Sequence, residues 1–288
     1  MNDLPYLINL PPFMQRGVDI DNFSLPKKIT FIIKGKILSF VVKKINGRLF
    51  CKLINFFFKD TNLRFNNNRY VRNYKNLEIY FPNKRILRLV NNPDLSFKRI
   101  YESYCLDSIV FTEGDVVIDC GANVGELNLA LFLNGAKIKY VAFEPDKKTF
   151  ECLSLNCNIF DTDLYNAALS NKEGQSTFFL DNEGGNSSLV DFGTASSVSV
   201  ETQTLDSFEF EKIKLIKIDA EGFEPEVLEG CVNSLKKTEL ISIDFGAERG
   251  ENQDTTIVEV NKFLYENNFE LIEFSKYRLI GLYRNKSI

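Results

Sequence analysis

Apolar positions in the first sixty residues come in dense runs interrupted by single basic residues. ITFII and ILSFVV, on either side of Lys34-Gly35-Lys36, predict two β-branched strands joined by a turn. Over residues 46–59 the spacing changes to that of a helix. Leu49, Leu53 and Phe56 share one face there, beside a narrow stripe of Lys44, Arg48, Lys52, Asn55 and Lys59. Residues 61–73 (TNLRFNNNRYVRN) are polar and rich in Asn, which predicts a loop. LEIYF and RILRLV, separated by Pro82-Asn83-Lys84, predict a hairpin, and Asp94 is placed to cap a short helix running toward Leu106.

From about residue 113 the periods alternate. VVIDC (116–120) reads as a buried strand, 124–133 as a helix, YVAFE (140–144) as a strand and 147–159 as a second helix. DLYNAAL (163–169), LIKID (215–219) and LISIDF (240–245) add strands. EPEVLEGCVNSL and residues 255–267 add helices. FELIEF (269–274) and RLIGLY (278–283) lie too close together for a crossover helix, so they are expected to pair antiparallel. QSTFFLD and VSVETQ form an insertion flanking the Gly/Ser/Asn-rich stretch 181–197. The pattern implies an α/β fold with a mainly parallel, doubly wound sheet and an antiparallel C-terminal hairpin, behind a small N-terminal α+β extension. The expected divisions are a basic extension over 1–73, a hairpin and helix over 74–110, and the main domain over 111–288.

Charge sharpens that division. The net charge of −4 conceals 19 Lys and Arg against 8 Asp and Glu in residues 1–110, leaving 16 against 31 in the remainder. No acidic residue occurs between Asn22 and Lys59, where nine basic ones do. Residues 27–59 therefore suit either an anionic surface, such as a peripheral membrane contact, or packing within their own domain. No nucleic-acid recognition motif accompanies them, and no nucleic-acid partner is expected. Histidine is absent, which removes Ser-His-Asp and Cys-His nucleophiles and His-ligated zinc and leaves proton chemistry to carboxylates, Lys, Tyr or Cys. The six cysteines include no CxxC pair and read as reduced, buried thiols. With no apolar run long enough to span a bilayer and no leader pattern at the start, a cytoplasmic protein, at most peripheral to a membrane, is expected.

Asp119-Cys120-Gly121-Ala122-Asn123-Val124-Gly125 follows a strand and opens a helix, as a turn that cradles a nucleotide must. Glu144 ends the next strand, where a carboxylate can accept both ribose hydroxyls of an adenosine. GxGxxG is missing, and Asp119 adds negative charge where a pyrophosphate would lie, whereas it can pair with the ammonium of a methionine moiety. A sulfonium cofactor therefore fits better than a dinucleotide, and a nicotinamide oxidoreductase is the weaker alternative.

GDVVIDCGANVG, VAFEPD, the NAAL strand, TLDSF and IKIDAEGFEPEVLEG resemble, in order and spacing, the FkbM-type methyltransferases over about residues 75–288. The resemblance implies a Rossmann-like class I methyltransferase fold and S-adenosylmethionine-dependent transfer, usually to oxygen, with sugar hydroxyls of glycans, glycoconjugates and secondary metabolites prominent among acceptors. By position it places Asp119, Gly121, Asn123 and Gly125 at the methionine end, Glu144 at the ribose and Asn166 near the adenine edge. Residues 1–70 lie outside it.

Lys217, Asp219 and Glu221 in LIKIDAEG share strand parity, so three ionisable groups emerge together at a strand's carboxyl end. A buried lysine there needs Asp219 or Glu221 as partner. A sugar hydroxyl must lose its proton on methylation, which makes Asp219 or Glu221 the expected base and Lys217 the group that holds it. The alternative for each is an ion pair or a helix cap. Asp244 and Glu248, at the next strand end, can converge with Asp219 on the acceptor or on a divalent cation such as Mg²⁺ or Ca²⁺. Arg249 can instead tie Glu248 into a structural pair. Asn186, Ser187 and Ser188 in the inserted stretch are candidate acceptor contacts, or plain loop.

Overall fold

The computed structural model describes residues 10–15, 18–181, 187–194 and 196–288. The chain divides into two compact units, Met1–Ser96 and Phe97–Ile288. That boundary falls inside 74–110, the stretch the sequence sets apart as a hairpin and helix leading into the core.

The first unit contains a helical turn, α1 (Pro12–Gln15), two helices, α2 (Leu25–Lys44) and α3 (Gly47–Phe57), and a meander of β1 (Leu63–Asn66), β2 (Arg69–Tyr74) and β3 (Leu77–Phe81). The hairpin expected around Lys34-Gly35-Lys36 is instead the interior of α2. Gly35 serves close packing there and not a turn: a Cβ at this position would lie 2.4 Å from a methyl of Leu10. Side-chain packing has overridden the strand preference of the β-branched residues.

The loop expected over 61–73 is a hairpin. Asn67 and Asn68, at φ of 47° and 58°, make the two-residue turn that pairs Asn66 with Arg69. Lys75 and Asn76 repeat it, and Tyr74 faces Leu77. β3 thus pairs with β2, while RILRL winds into a 3-10 helix (Lys84–Leu89) started by Asn83, whose side chain accepts from the Arg85 N–H at 3.0 Å. The cap of α4 (Pro93–Ser103) is Asn92, which accepts from the Leu95 N–H at 3.0 Å; the expected cap, Asp94, instead accepts from Tyr74 and from Lys75 at 2.7 Å.

In the second unit the chain runs β4 (Asp115–Cys120), α5 (Glu126–Leu133), β5 (Ile138–Phe143), α6 (Lys147–Cys157), β6 (Thr162–Tyr165) and β7 (Ala168–Leu169). There follow β8 (Gly174–Phe179), β9 (Ser197–Gln203), β10 (Ile213–Ile218), α7 (Glu224–Glu229), α8 (Val232–Leu235) and β11 (Thr238–Asp244). It closes with β12 (Ala247–Arg249), β13 (Asp254–Thr255), α9 (Ile257–Glu266), β14 (Phe269–Phe274) and β15 (Ile280–Asn285).

The main sheet has the order β14-β15-β11-β10-β4-β5-β6, parallel from β6 to β11 with β15 antiparallel between β11 and β14. This is the mainly parallel, doubly wound sheet with the antiparallel C-terminal hairpin expected from the sequence. Alternate residues of each strand supply the two cores. Ile118, Phe143, Ile216 and Ile243 pack on one face, and Val117, Tyr140, Leu215 and Leu240 on the other, as a sheet covered on both sides requires. The insertion forms a small sheet, β7-β9-β8. All six cysteines are buried and free.

Candidate functional site

The carboxyl ends of β4, β10 and β11 lie side by side, and the loops leaving them carry the ionisable groups. Asp119 and Lys217 are register partners on β4 and β10 and share a face with Val117 and Leu215, so their side chains meet inside the sheet's own core. Lys217 Nζ lies 2.8 Å from Asp119 Oδ1 and donates to the carbonyls of Cys120 (3.0 Å) and Gly121 (2.9 Å). The Tyr140 hydroxyl donates to the other Asp119 oxygen. Burial opposes the Lys217 charge, but Asp119, Tyr104 and Asp219 outweigh it and raise its pKa. The partner of Lys217 is therefore Asp119, in place of the Asp219 or Glu221 expected from strand parity. The Asp119 carboxylate is engaged on both oxygens beneath the glycine turn.

Gly121, at φ 74°, is the position that lets this turn exist. A Cβ there would stand 2.0 Å from the Asp219 carbonyl oxygen, so the turn and the β10 end touch backbone to backbone. Asn123 follows in the same left-handed region at φ 51°, an arrangement that costs on the order of 1 kcal/mol and marks a fixed local geometry. Gly125 opens α5, with Leu153 and Cys157 closing the space over it. Glu144, just past β5, accepts the N–H of Asn123 at 2.9 Å and of Asp146 at 2.8 Å, and burial pushes its carboxyl up to about 7. Asn166 donates to the carbonyls of Glu144 (2.9 Å) and Pro145 (3.0 Å), bracing the same segment from the end of β6.

Beyond β10, Asp219 accepts from the Tyr104 hydroxyl at 2.5 Å and from Arg278 at 3.2 Å. Arg278 also pairs with Asp244, whose other oxygen accepts the Gly246 N–H at 2.9 Å. Burial and Asp219 raise Asp244 to about 8 despite Arg278. Glu221 stands at φ 51°, unusual for a non-glycine residue. Burial, then Asp219 and Glu248, push its carboxyl up to about 10, and it shares a hydrogen bond with Glu248, which is raised as well by burial and Asp219. Two carboxyls in such contact each disfavour the other's negative charge, so the pair holds a proton more tightly than either would alone.

Asp219, Glu221 and Glu248 each offer an oxygen within 4.8 Å of the others, the kind of set that suits a divalent cation. The metal trio expected from sequence named Asp244 in place of Glu221; Arg278 occupies Asp244. Arg249 pairs with Glu226 at 2.6 Å and not with Glu248.

Ser188 reaches the site: its hydroxyl lies 3.3 Å from the Ala220 carbonyl and accepts the Val190 N–H at 3.1 Å. Ser187 stays within its own loop, accepting the Asp181 N–H at 2.9 Å. Asn186 falls outside the described residues.

Four site residues escaped the sequence reading. Tyr140 carried a signal, since a tyrosine on a buried strand needs a partner for its hydroxyl. Arg278 carried another: it precedes an antiparallel strand whose first residue, Ile280, faces Asp244, so it must lie at the edge where the parallel strands end. Glu224, buried at the start of α7, accepts from Ala220, Gly222 and Thr256. Tyr104 carried no signal; the chain pins it from afar through its carbonyl, which accepts from Ser242 at 2.8 Å.

Residues 119–271 match the family described as Methyltransferase FkbM domain. The chain is 27% identical over 173 residues to the methyltransferase sdnD of Sordaria araneosa, spanning 46% of this chain and 67% of that protein. It is 28% identical over 141 residues to the hexuronic acid methyltransferase AglP of Haloferax volcanii, spanning 47% and 57%. Among solved structures, an FkbM methyltransferase from Methylobacillus flagellatus superposes with a TM-score of 0.44 at 15% identity, over 64% of this chain and 47% of that one. The match thus spans about half to two thirds of these relatives' lengths.

Proposed function

The chain belongs to the FkbM methyltransferase family, and we propose that it methylates a sugar hydroxyl of a glycan or glycoconjugate with S-adenosylmethionine as donor. The observation that carries this reading is the backbone contact between the Gly121 turn and Asp219, which sets the expected cofactor cradle against a cluster of four carboxyls and an arginine. The residues suit an adenosyl sulfonium. Glu144 is a buried carboxyl fixed by two backbone N–H groups, Asn166 braces the chain beside it, and the turn has no room for a Cβ at Gly121 or Gly125. The bound donor supplies an electrophilic methyl group. The name of one relative, a hexuronic acid methyltransferase, supports a sugar as acceptor.

Deprotonation of the acceptor falls to the Glu221–Glu248 pair. With one proton shared, the pair keeps one negative charge to take up the acceptor's proton, and burial and Asp219 raise the proton affinity of both carboxyls above that of an exposed one. Asp219, held by Tyr104 and Arg278, orients the acceptor, and Arg278 offsets the charge developing on the oxygen. Lys217 acts through Asp119 and the carbonyls of the cradle.

A second reading adds a divalent cation on Asp219, Glu221 and Glu248, favoured by their convergent oxygens. The test is transfer of isotope-labelled methyl from S-adenosylmethionine into lipid, polysaccharide and small-molecule fractions of a cell extract, with Glu144→Ala as control and chelator in a parallel arm. Label in polysaccharide or glycolipid that vanishes with Glu144→Ala is expected. Label confined to sugar-free molecules refutes the acceptor class, and transfer undiminished by chelator refutes the metal.

A further inference from the structure

Helix α2 is apolar on two sides. Gly35, Leu38 and Val41 are buried, whereas Leu25, Ile29, Ile33, Ile37 and Phe40 are exposed, Ile33 by 56% and Phe40 by 62%. At 100° per residue these five fall within about 120° of arc, away from the buried face. Lys36, Lys43 and Lys44 are exposed within or beside that arc. Helix α3 repeats the arrangement. Phe50, Cys51 and Ile54 are buried; Leu49 and Phe56, exposed by 57% and 75%, mark a second face, with Arg48 and Lys52 next to it. The latter two, with Arg64, line a cavity of about 420 Å³.

A soluble helix normally turns a polar face outward, and an exposed apolar stripe of this length signals a missing partner. The surrounding charge says what kind. Between Asn22 and Lys59 the chain carries nine basic and no acidic residues, so a partner with positive or mixed charge is disfavoured. Among the described residues no helix is long and apolar enough to cross a membrane. A helix whose exposed apolar stripe also carries lysines can lie in the plane of an anionic bilayer, with the stripe in the acyl boundary and the long lysine stems reaching back to the phosphates.

We propose that the exposed apolar faces of α2 and α3, with Lys36, Lys43, Lys44, Arg48 and Lys52, dock the chain flat on an anionic lipid surface. This rests on the first unit alone and is independent of the methyl-transfer reading.

The chain has no tryptophan, so Phe40→Trp in the full-length protein gives a single reporter on the docking face. Titration with vesicles of phosphatidylcholine and phosphatidylglycerol is expected to shift its emission to the blue, with quenching by brominated acyl chains. Pure phosphatidylcholine vesicles are expected to bind far more weakly. In the same background Ile33→Asp, at a position already facing water, abolishes the shift. Combined Lys36→Gln, Lys43→Gln and Lys44→Gln lowers vesicle affinity about 100-fold, at about 5-fold per lysine. Three results overturn the proposal: no shift with anionic vesicles; binding to vesicles and heparin alike that survives Ile33→Asp; or a dimer in sedimentation that Ile33→Asp dissolves, with no vesicle binding by the monomer. A shift that appears only after deletion of residues 1–9 also overturns it, by assigning the face to the chain's own start.

Discussion

Lys217 separates a structural reading of this site from a catalytic one, and Lys217→Met is the perturbation that distinguishes them. Its ammonium holds Asp119 at 2.8 Å and two carbonyls at 2.9 and 3.0 Å, with both side chains almost wholly buried. Removing the charge leaves the Asp119 carboxylate with Tyr140 as its remaining bond and strips a donor from the carbonyls of Cys120 and Gly121. Breaking one side of a buried pair costs about 3–5 kcal/mol. For a unit of this size that lowers Tm by roughly 6–20 °C, taking about 2–4 °C per kcal/mol. Adding Asp119→Asn removes the uncompensated charge yet keeps an acceptor for Tyr140, so the double variant is expected to recover at least about 2 kcal/mol. Urea unfolding of wild type, both single variants and the double closes the cycle. A loss below about 1 kcal/mol for Lys217→Met, or a double variant no more stable than the single, refutes the structural role. Normal stability with collapsed kcat would return Lys217 to the chemistry.

Asp219→Asn removes the charge that raises both Glu221 and Glu248, so the acidic limb of the kcat/KM profile is expected to move to lower pH; an unmoved limb removes the pair from proton transfer. Burial raises Glu224 to about 7, above its unfolded value, so the folded state binds the extra proton and stability falls as pH climbs from about 4.5 to about 7. Glu224→Gln keeps the acceptor without the charge and is expected to match wild type in Tm near pH 4.5 and exceed it at pH 8, by up to about 3 kcal/mol; equal Tm values at both pH values refute this.

The main sheet was legible because its signals are local and redundant. VVIDC, YVAFE, LIKID and LISIDF are apolar runs bounded by turn residues, and the short gap between FELIEF and RLIGLY admits only an antiparallel pair. The first unit was misread where local preference and packing disagree. Ile29, Ile33 and Ile37 recur at helical spacing, whereas the β-branched residues around Gly35 carry the local signal of two strands and a turn. The Asn pair at 67–68 is itself a strong two-residue hairpin signal, obscured by the polar residues around it. In the site, residues at strand ends were found by parity, but their pairings were not. Whether Lys217 reaches Asp119 or Asp219 depends on which neighbouring strand lies alongside β10, and that is a property of sheet order.

The charge balance of the site explains why those pairings matter. Asp119, Asp219, Glu221, Asp244 and Glu248 gather around two cations, Lys217 and Arg278. Lys217 is committed to Asp119, and Arg278, which bridges Asp219 and Asp244, only partly offsets the charge of the Glu221–Glu248 pair. Burial first, and then the like charge left over, makes the pair hold a proton more tightly. Any cation brought against the pair competes with that proton and lowers its affinity for it. Protonation of the cluster and occupancy of the proposed cradle by a cationic donor are therefore linked quantities, and the left-handed backbone at Glu221 is the local feature that sets its carboxyl among like charges.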